Sequence, residues 1–372
     1  MTILFYAIGA GGLGHLSRTL SIADTINQIA PEMPIIFVTE ASDSRLLNEY
    51  PFPYYQVPCH HTLSMEERWR ILPEQQIRYV WEQTIQSIVE AHQPSIIVHD
   101  TFIRKHLHQF AVEAGSQGVL ILRKRTDTRS FLHRNRHMLS NFGLIAVPHH
   151  EGEIGNVKPS WLPEAQFMYC GPLLRRTRSD LRVEEIRQQY GIKPDEFTIV
   201  ISNGGGNILP DLNDEFIEIT LKTLKTLEDH LPVFRAIVIT GPLAPLHTQW
   251  ISFRTGHLIV RDFEPNLLDL FAASNLAITR GGYNTILELQ EVGIPAICIP
   301  AKRHAESQAK RIERAMRETT HIQAEALESD ILGEIILEAA SQPWWRYQPS
   351  RKPDHIRANK QLLAHRILRL LP

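Results

Sequence analysis

Short apolar runs alternate along the whole chain with longer stretches of helical period, the pattern of an α/β protein with mostly parallel strands. In the first half the predicted strands are Ile3–Ile8, Ile35–Thr39, Ser95–His99, Val119–Leu122 and Leu144–Val147, apolar or β-branched apart from Ser95 and His99. Between them the clearest predicted helix runs from about Glu74 to His92, where Ile77, Val80, Trp81, Ile85, Ile88 and Val89 fall on one face. The pattern restarts in the second half with predicted strands at Thr198–Ser202, Ala236–Thr240, Leu258–Val260, Leu276–Ile278 and Ala296–Ile299. A chain of 372 residues is long for one core, so two domains are expected. Arg175 to Asp180, polar and charged after Cys170, Gly171 and Pro172, is the candidate linker. Each half reads as one Rossmann-like domain, and a cleft between their facing sheets is the expected binding site.

Composition changes this picture mainly by exclusion. A formal net charge of −2 gives no overall field for a nucleic acid or another polyanion, so small substrates are the expected partners. Cys59, Cys170 and Cys298 stand far apart without a Cys-x-x-Cys spacing, which excludes the usual zinc frameworks and argues against a disulfide scaffold. Met1 to Ile8 is apolar but has no basic residue ahead of it and runs at once into glycines, unlike a signal peptide. No apolar run approaches the roughly 20 residues of a membrane span. The expectation is a cytoplasmic protein, at most peripheral on a membrane surface.

The first chemical signal follows the first strand, where Gly9, Ala10, Gly11, Gly12, Leu13, Gly14 and His15 lead into a helical segment from Leu16 to Ile29. Glycines there permit a tight turn and close approach of an anion to a helix N-terminus, the logic of a dinucleotide fingerprint. Glu40, closing the second strand, would then be the ribose acid of an NAD-dependent oxidoreductase. His15 points to different chemistry, because an imidazole at the start of that helix is placed to act as a general base. The alternative is a histidine that only caps or packs the turn. Asp100 ends another predicted parallel strand, where ligand-facing residues of such sheets sit, and can fix the tautomer of His15. It can equally cap the helix that follows. His99, its neighbour, is expected on the opposite face.

Two further signals lie in the second half. Gly204, Gly205 and Gly206 follow the strand Thr198–Ser202 and expose backbone N–H groups before a helix, so a phosphate can be cradled there. No Gly-Lys-Ser/Thr follows, which removes the P-loop alternative. The most specific run is Arg280, Gly281, Gly282, Tyr283, Asn284, Thr285, Ile286, Leu287 and Glu288, with Gly293, Ile294 and Pro295 before the next strand and Glu306 and Gln308 after it. Its glycine pair, Asn284 and Thr285 offer donors to a diphosphate, and Arg280 adds a charge-assisted contact. Glu288 lies one helical turn beyond Asn284, where a carboxylate can accept ribose hydroxyls. Glu306 and Gln308 can bond the hydroxyls of a sugar. As an isolated fragment the run is equally a turn and a solvated helix face.

The run from Arg280 to Glu288, with Gly293 to Pro295, Glu306 and Gln308, resembles the donor-binding signature of nucleotide-sugar glycosyltransferases. With Gly11 to His15 and the loop at Gly204, the plan is similar across essentially the whole chain to MurG-like N-acetylglucosaminyltransferases and their wider relatives. The resemblance implies a GT-B fold of two Rossmann-like domains: residues 1–174 on the acceptor side, 175–352 binding the donor, and a final helix in 353–372 returning to the first. It assigns Gly204, Gly205, Gly206, Arg280, Gly281, Gly282, Asn284 and Thr285 to the diphosphate, Glu288 to the ribose, and Glu306 with Gln308 to the sugar. His15 and Asp100 resemble the His–Asp pair of small-molecule transferases on the same fold, with Gly11, Gly12, Gly14 and Arg18 beside them on the acceptor side. The stretch Leu13, Gly14, His15, Leu16, Ser17, Arg18 departs from MurG, which has a fuller glycine pattern and a proline after its histidine. A Gly-His-x-x-Arg turn is also similar to the UDP-sugar hydrolase PseG, and UDP-sugar 2-epimerases share a related fold.

The expected reaction is an inverting, metal-independent transfer from a nucleotide-sugar, most simply a UDP-sugar, to a small-molecule, lipid-linked or saccharide hydroxyl. No Asp-x-Asp occurs to hold a catalytic cation, and no cofactor is expected. A non-catalytic nucleotide-sugar binder is the remaining alternative. Arg123, Lys124, Arg125, Arg129, His133, Arg134, Arg136 and His137 form a basic segment that suits an anionic acceptor, a membrane surface or a solvated face. The final helix, Ile356 to Leu371, carries leucines among basic residues and either touches a membrane or packs on the first domain.

Overall fold

The computed structural model describes residues 1–9, 13–41, 43–58, 74–125, 127–205, 210–231, 233–242, 257–301, 308–316, 321–323, 329–341 and 355–372. The chain forms two compact units, one of residues 1–175 with 355–372 and the other of 176–354.

The first unit contains β1 (Ile3–Ala7), α1 (Gly14–Ile29), β2 (Ile35–Thr39), β3 (Tyr54–Gln56), α2 (Glu74–His92), β4 (Ile96–Asp100) and α3 (Lys105–Glu113). It continues through β5 (Gln117–Ile121), α4 (Thr128–Arg134), α5 (Arg136–Leu139), β6 (Phe142–Val147) and β7 (Phe167–Tyr169). Its seven strands are parallel in the order β3-β2-β1-β4-β5-β6-β7, so the winding direction reverses between β1 and β4. Helices on both faces bury β1 completely, which is why its sequence reads as a continuous apolar run rather than an alternating one. On one face Tyr6, Val38 and Ile97 pack with Trp81, Ile85, Ile88 and Val89 of α2. Each such fully buried aliphatic side chain contributes about 1.5–3 kcal/mol. Val80, predicted on that stripe, is 49% exposed and sits at its margin.

The second unit contains α6 (Val183–Tyr190), β8 (Phe197–Ser202), α7 (Pro210–Leu227), β9 (Phe234–Ile239), β10 (His257–Arg261), α8 (Leu267–Ala272) and β11 (Leu276–Thr279). It ends with α9 (Tyr283–Val292), β12 (Ala296–Cys298), α10 (Gln308–Met316), β13 (His321–Gln323) and α11 (Ser329–Ser341). The strands are again parallel, in the order β10-β9-β8-β11-β12-β13, with the reversal between β8 and β11. Period-two alternation in β8 sends Val200 to one core with Ile237, Phe271 and Leu289, and Ile199 and Ile201 to the other with Phe216 and Leu224. β3, β7 and β13 have no counterpart among the predicted strands; each is only three residues long, which leaves little hydrophobic pattern to read.

The polar stretch after Arg175 is ordered against the second unit. Arg176 Nη1 donates to Asn266 Oδ1 at 2.8 Å, and the Arg178 amide donates to Glu291 Oε1 at 2.9 Å. Thr177 and Asp180 close a capping box. The last helix, α12 (His355–Leu368), belongs to the first unit and packs on α1 through a face that buries Leu363, Ala364 and Ile367. Asn359 Nδ2 and Lys360 Nζ donate to the carbonyls of Pro172 and Arg175 at 3.1 and 3.3 Å. Among the described residues no helix is long and apolar enough to cross a membrane.

Candidate functional site

In the first unit, β1 and β4 are neighbours in register, Tyr6 beside His99, so their C-terminal ends lie side by side. This is the position at which a doubly wound sheet opens a crevice. Gly9 has a steric reason: a Cβ there would lie 1.9 Å from the Glu40 carbonyl oxygen. Gly11 and Gly12 lie outside the described residues, while Gly14 opens α1. His15 follows on the first turn of α1, and Asp100 ends β4 wholly buried.

His15, Arg18 and Asp100 form one network. His15 Nδ1 is bonded to Asp100 Oδ2. Arg18, one turn along α1 and 2% exposed, grips the same carboxylate as a fork, Nε to Oδ1 at 2.8 Å and Nη2 to Oδ2 at 2.6 Å. Burial alone would raise the Asp100 pKa, but Arg18 and His15 outweigh it and hold the carboxyl at about 2. Burial lowers the His15 pKa, with Arg18 and Arg123 acting in the same direction and Asp100 opposing. The imidazole is therefore neutral near pH 7, its Nδ1–H donated to the carboxylate, which leaves the lone pair on Nε2. With its side chain 13% exposed, His15 retains access to solvent. The backbone bends sharply beside it: Thr101 holds φ at +64°, a left-handed conformation costing a β-branched residue about 1–2 kcal/mol. The bend is fastened by Thr101 N–H to the Ile121 carbonyl and by Arg18 Nη2 to Thr101 Oγ1, at 2.8 and 3.3 Å.

Glu40 is closed to a ribose. Arg104 Nε and Nη2 donate to its Oε1 and Oε2 at 2.9 and 2.6 Å, and the buried Tyr6 hydroxyl donates to Oε1 as well. Both carboxylate oxygens are thus engaged within the protein, against the use that a dinucleotide fingerprint requires. His99 turns to the other face of β4 and packs on Phe142 with ring centroids 5.3 Å apart. Burial, with a smaller contribution from His108, pushes its pKa down to about 3.

In the second unit the reversal lies between β8 and β11, whose last residues Ser202 and Thr279 are register partners. The two glycine turns that follow are therefore adjacent. Gly204 has φ +67° and donates its N–H to Ser202 Oγ at 3.2 Å, Gly205 follows it, and Gly206 lies outside the described residues. Arg280 lays its guanidinium over Phe216 at 4.5 Å from the ring centroid. Gly281 has two reasons to lack a side chain, a φ of +70° and an Ile312 carbon 2.6 Å from where a Cβ would stand. Gly282 occupies the N-cap of α9 and supplies no side-chain acceptor to its first turn. The N-terminal end of α9, with the positive end of its helix dipole, is thereby turned toward the loop that follows β11.

Asn284 and Thr285 lie in that first turn of α9, and Glu288, half-buried, one turn beyond Asn284. Glu306 lies outside the described residues, and Gln308 begins α10 almost wholly buried. Its Oε1 accepts from the Ala301 amide at 2.9 Å, which ties α10 to the chain just after β12. Arg311 was not suggested by the sequence, yet its Nη1 bonds the Gly281 carbonyl at 3.0 Å and fixes the turn. Only its position three residues after Gln308 on α10, a spacing that keeps both on one helical face, hinted at a site role. Among the described residues no group of three or more His, Cys, Asp or Glu could hold a metal ion.

Residues 212–367 match the glycosyltransferase family 28 C-terminal domain. An uncharacterized glycosyltransferase of Methanopyrus kandleri is 27% identical over 158 residues, 41% of each chain. The UDP-N-acetylglucosamine–N-acetylmuramyl-(pentapeptide) pyrophosphoryl-undecaprenol N-acetylglucosamine transferase of Aquifex aeolicus is 26% identical over 148 residues, 38% of this chain and 40% of its own. The chain thus spans 40–48% of the length of these curated relatives and two further transferases of the same name. Among solved structures, the glycotransferase of kitacinnamycin is 16% identical with a TM-score of 0.64, covering 100% of this chain and 99% of its own.

Proposed function

We propose that this chain, a GT-B protein similar to MurG that carries a glycosyltransferase family 28 C-terminal domain, transfers a sugar from a nucleotide-sugar to an acceptor hydroxyl with inversion. The observation that carries this proposal is the His15 imidazole with its Nδ1 bonded to the Asp100 carboxylate that Arg18 grips, which leaves Nε2 as the nitrogen to take a proton. His15 Nε2 takes the acceptor proton as the acceptor oxygen attacks the anomeric carbon. The bond from that carbon to the diphosphate breaks, and the nucleoside diphosphate leaves with the electron pair. Asp100 stabilises the imidazolium that forms. The N–H groups at the start of α9, with Arg280, the turn at Gly204 and the side chains of Asn284 and Thr285, stabilise charge growing on the diphosphate. Glu288 is assigned to the ribose, and Glu306 and Gln308 to the donor sugar. Relatives named for transfer from UDP-N-acetylglucosamine support UDP as the nucleotide.

No metal step is required, since helix N–H groups and Arg280 perform the role that a divalent cation has elsewhere. Turnover is therefore expected to persist in EDTA, and its abolition with correct substrates would remove this part of the mechanism. The alternative is a UDP-sugar hydrolase, favoured by the Gly14-His15-x-x-Arg18 turn, in which water is the nucleophile. Thermal shifts with UDP-, TDP- and GDP-sugars and with NAD, followed by donor consumption with and without candidate acceptors, divide the cases. A shift with a nucleoside diphosphate sugar and acceptor-dependent turnover are expected. Free sugar released at full rate without acceptor would assign the hydrolase, and a shift with NAD alone would reject both.

A further inference from the structure

Between Arg123 and Arg136 the chain carries six Lys and Arg side chains and a single acid, Asp127. Most of these face solvent, as a basic surface would, but Arg125 does not. Its side chain is 18% exposed, with the guanidinium 4.4 Å from the centroid of Phe102 and 4.8 Å from that of Phe131. The Phe102 ring in turn lies 6.4 Å from the ring of His15. Arg125 Nε bonds Asp127 Oδ1 at 2.9 Å, but Asp127 also serves Arg134 at 2.6 Å, so one carboxylate is divided between two guanidiniums. Arg125 Nη1 is buried and has no hydrogen-bond partner among the described residues. Arg123 lies near enough for its charge to act on His15.

Positive charge near a general base, here Arg123 with Arg18, opposes its work, because the imidazolium formed during turnover meets the repulsion. That cost disappears if the substrate brings a compensating negative charge to the same place. A guanidinium stacked on aromatic rings is also pre-organised, with its N–H edge set to bind an oxyanion at little entropic cost. We propose that Phe102, Arg123 and Arg125 form the acceptor-recognition site of this chain and that it takes an oxyanion, phosphate or carboxylate, carried near the reacting hydroxyl. The assignment to an acceptor rests on the proposed transfer reaction, whereas the anion site itself is testable alone.

The experiment follows the His15 imidazole by NMR through a pH titration of the full chain. Chloride is replaced at constant ionic strength by sulfate, a dianion whose charge does not change over the range. Sulfate in the site is expected to raise the His15 pKa saturably by roughly one unit. Arg125→Gln and, separately, Arg123→Gln should each remove most of that rise. No response of His15, or an equal response in both variants, would overturn the site. A response to phosphatidylglycerol vesicles with none to sulfate would assign the cluster to a membrane surface and also overturn it. Failure of the transfer reaction reads out differently, as absence of nucleoside diphosphate binding while the sulfate response remains.

Discussion

Where the first sheet reverses, β1 and β4 are followed by side chains that carry charge, His15 and Arg18 on α1 and Asp100 at the strand end, all drawn into one buried network. Where the second sheet reverses, β8 and β11 are followed by glycines whose side chains are missing for steric and conformational reasons, and the chemistry offered is backbone N–H. The topology at the two reversals is the same, but the electrostatics differ. Burial favours the neutral form of the one imidazole against the pull of Asp100, and the carboxylate gripped by Arg18 fixes its tautomer, which suits proton transfer. A helix N-terminus without a side-chain cap presents several weak donors at once, which suits a spread-out charge such as a diphosphate. A strand-turn-helix unit thus takes its character from the residues around its helix start, ionisable His15 and Arg18 on α1 against a glycine pair ahead of Asn284 and Thr285 on α9.

The comparison breaks most sharply at Asp100. Asp100→Asn keeps the shape but removes the carboxylate that sets the His15 tautomer, and turnover is expected to fall by about 10²–10⁴. The same variant leaves the buried Arg18 guanidinium uncompensated, a loss of about 3–5 kcal/mol that urea denaturation would read. On the other edge, Gly281→Ala forces a side chain into the left-handed region and against Ile312. A loss of about 1–3 kcal/mol is expected from the strain. Donor affinity should drop about tenfold, a loss of about 1.4 kcal/mol, with turnover at saturating donor less affected. Equal effects of Gly281→Ala on affinity and turnover would blur the division between the edges.

A smaller effect sharpens the first edge by pH. Because the folded His15 pKa lies below its ordinary 6.5, the acid limb of kcat/KM should fall below pH 6.5. Between the two values the unfolded chain binds more protons at this site, so its contribution makes the fold less stable as pH falls from 6.5 through the folded pKa. An acid limb above 6.5 would mean that Asp100 outweighs burial.

The long elements were legible in the sequence because they carry a period. β2 runs from Ile35 to Thr39 and α2 from Glu74 to His92 on the residues that the apolar spacing marks. The position of Asp100 at a strand end beside the first glycine turn likewise follows from parallel topology. The bond from Arg18 to Asp100 did not, since 82 residues separate the two and only the fold brings that carboxylate to a cation the sequence places on the acceptor side. Glu40 shows the same limit: an acid closing a strand is open to a ribose role in the sequence, and only the fold brings Arg104, 64 residues away, and Tyr6 over it. The basic segment announced its charge, whereas the stacking of Arg125 between Phe102 and Phe131 exists only in three dimensions.

The division of labour between the edges is tested most directly by measuring donor affinity and turnover together in His15→Ala. The dissociation constant for the UDP-sugar should stay within about twofold of the parent while turnover falls by about 10² or more. A variant that still turns over at the parent rate, or that loses donor binding in proportion to turnover, would contradict a general base supplied by the first unit and a donor held by the second.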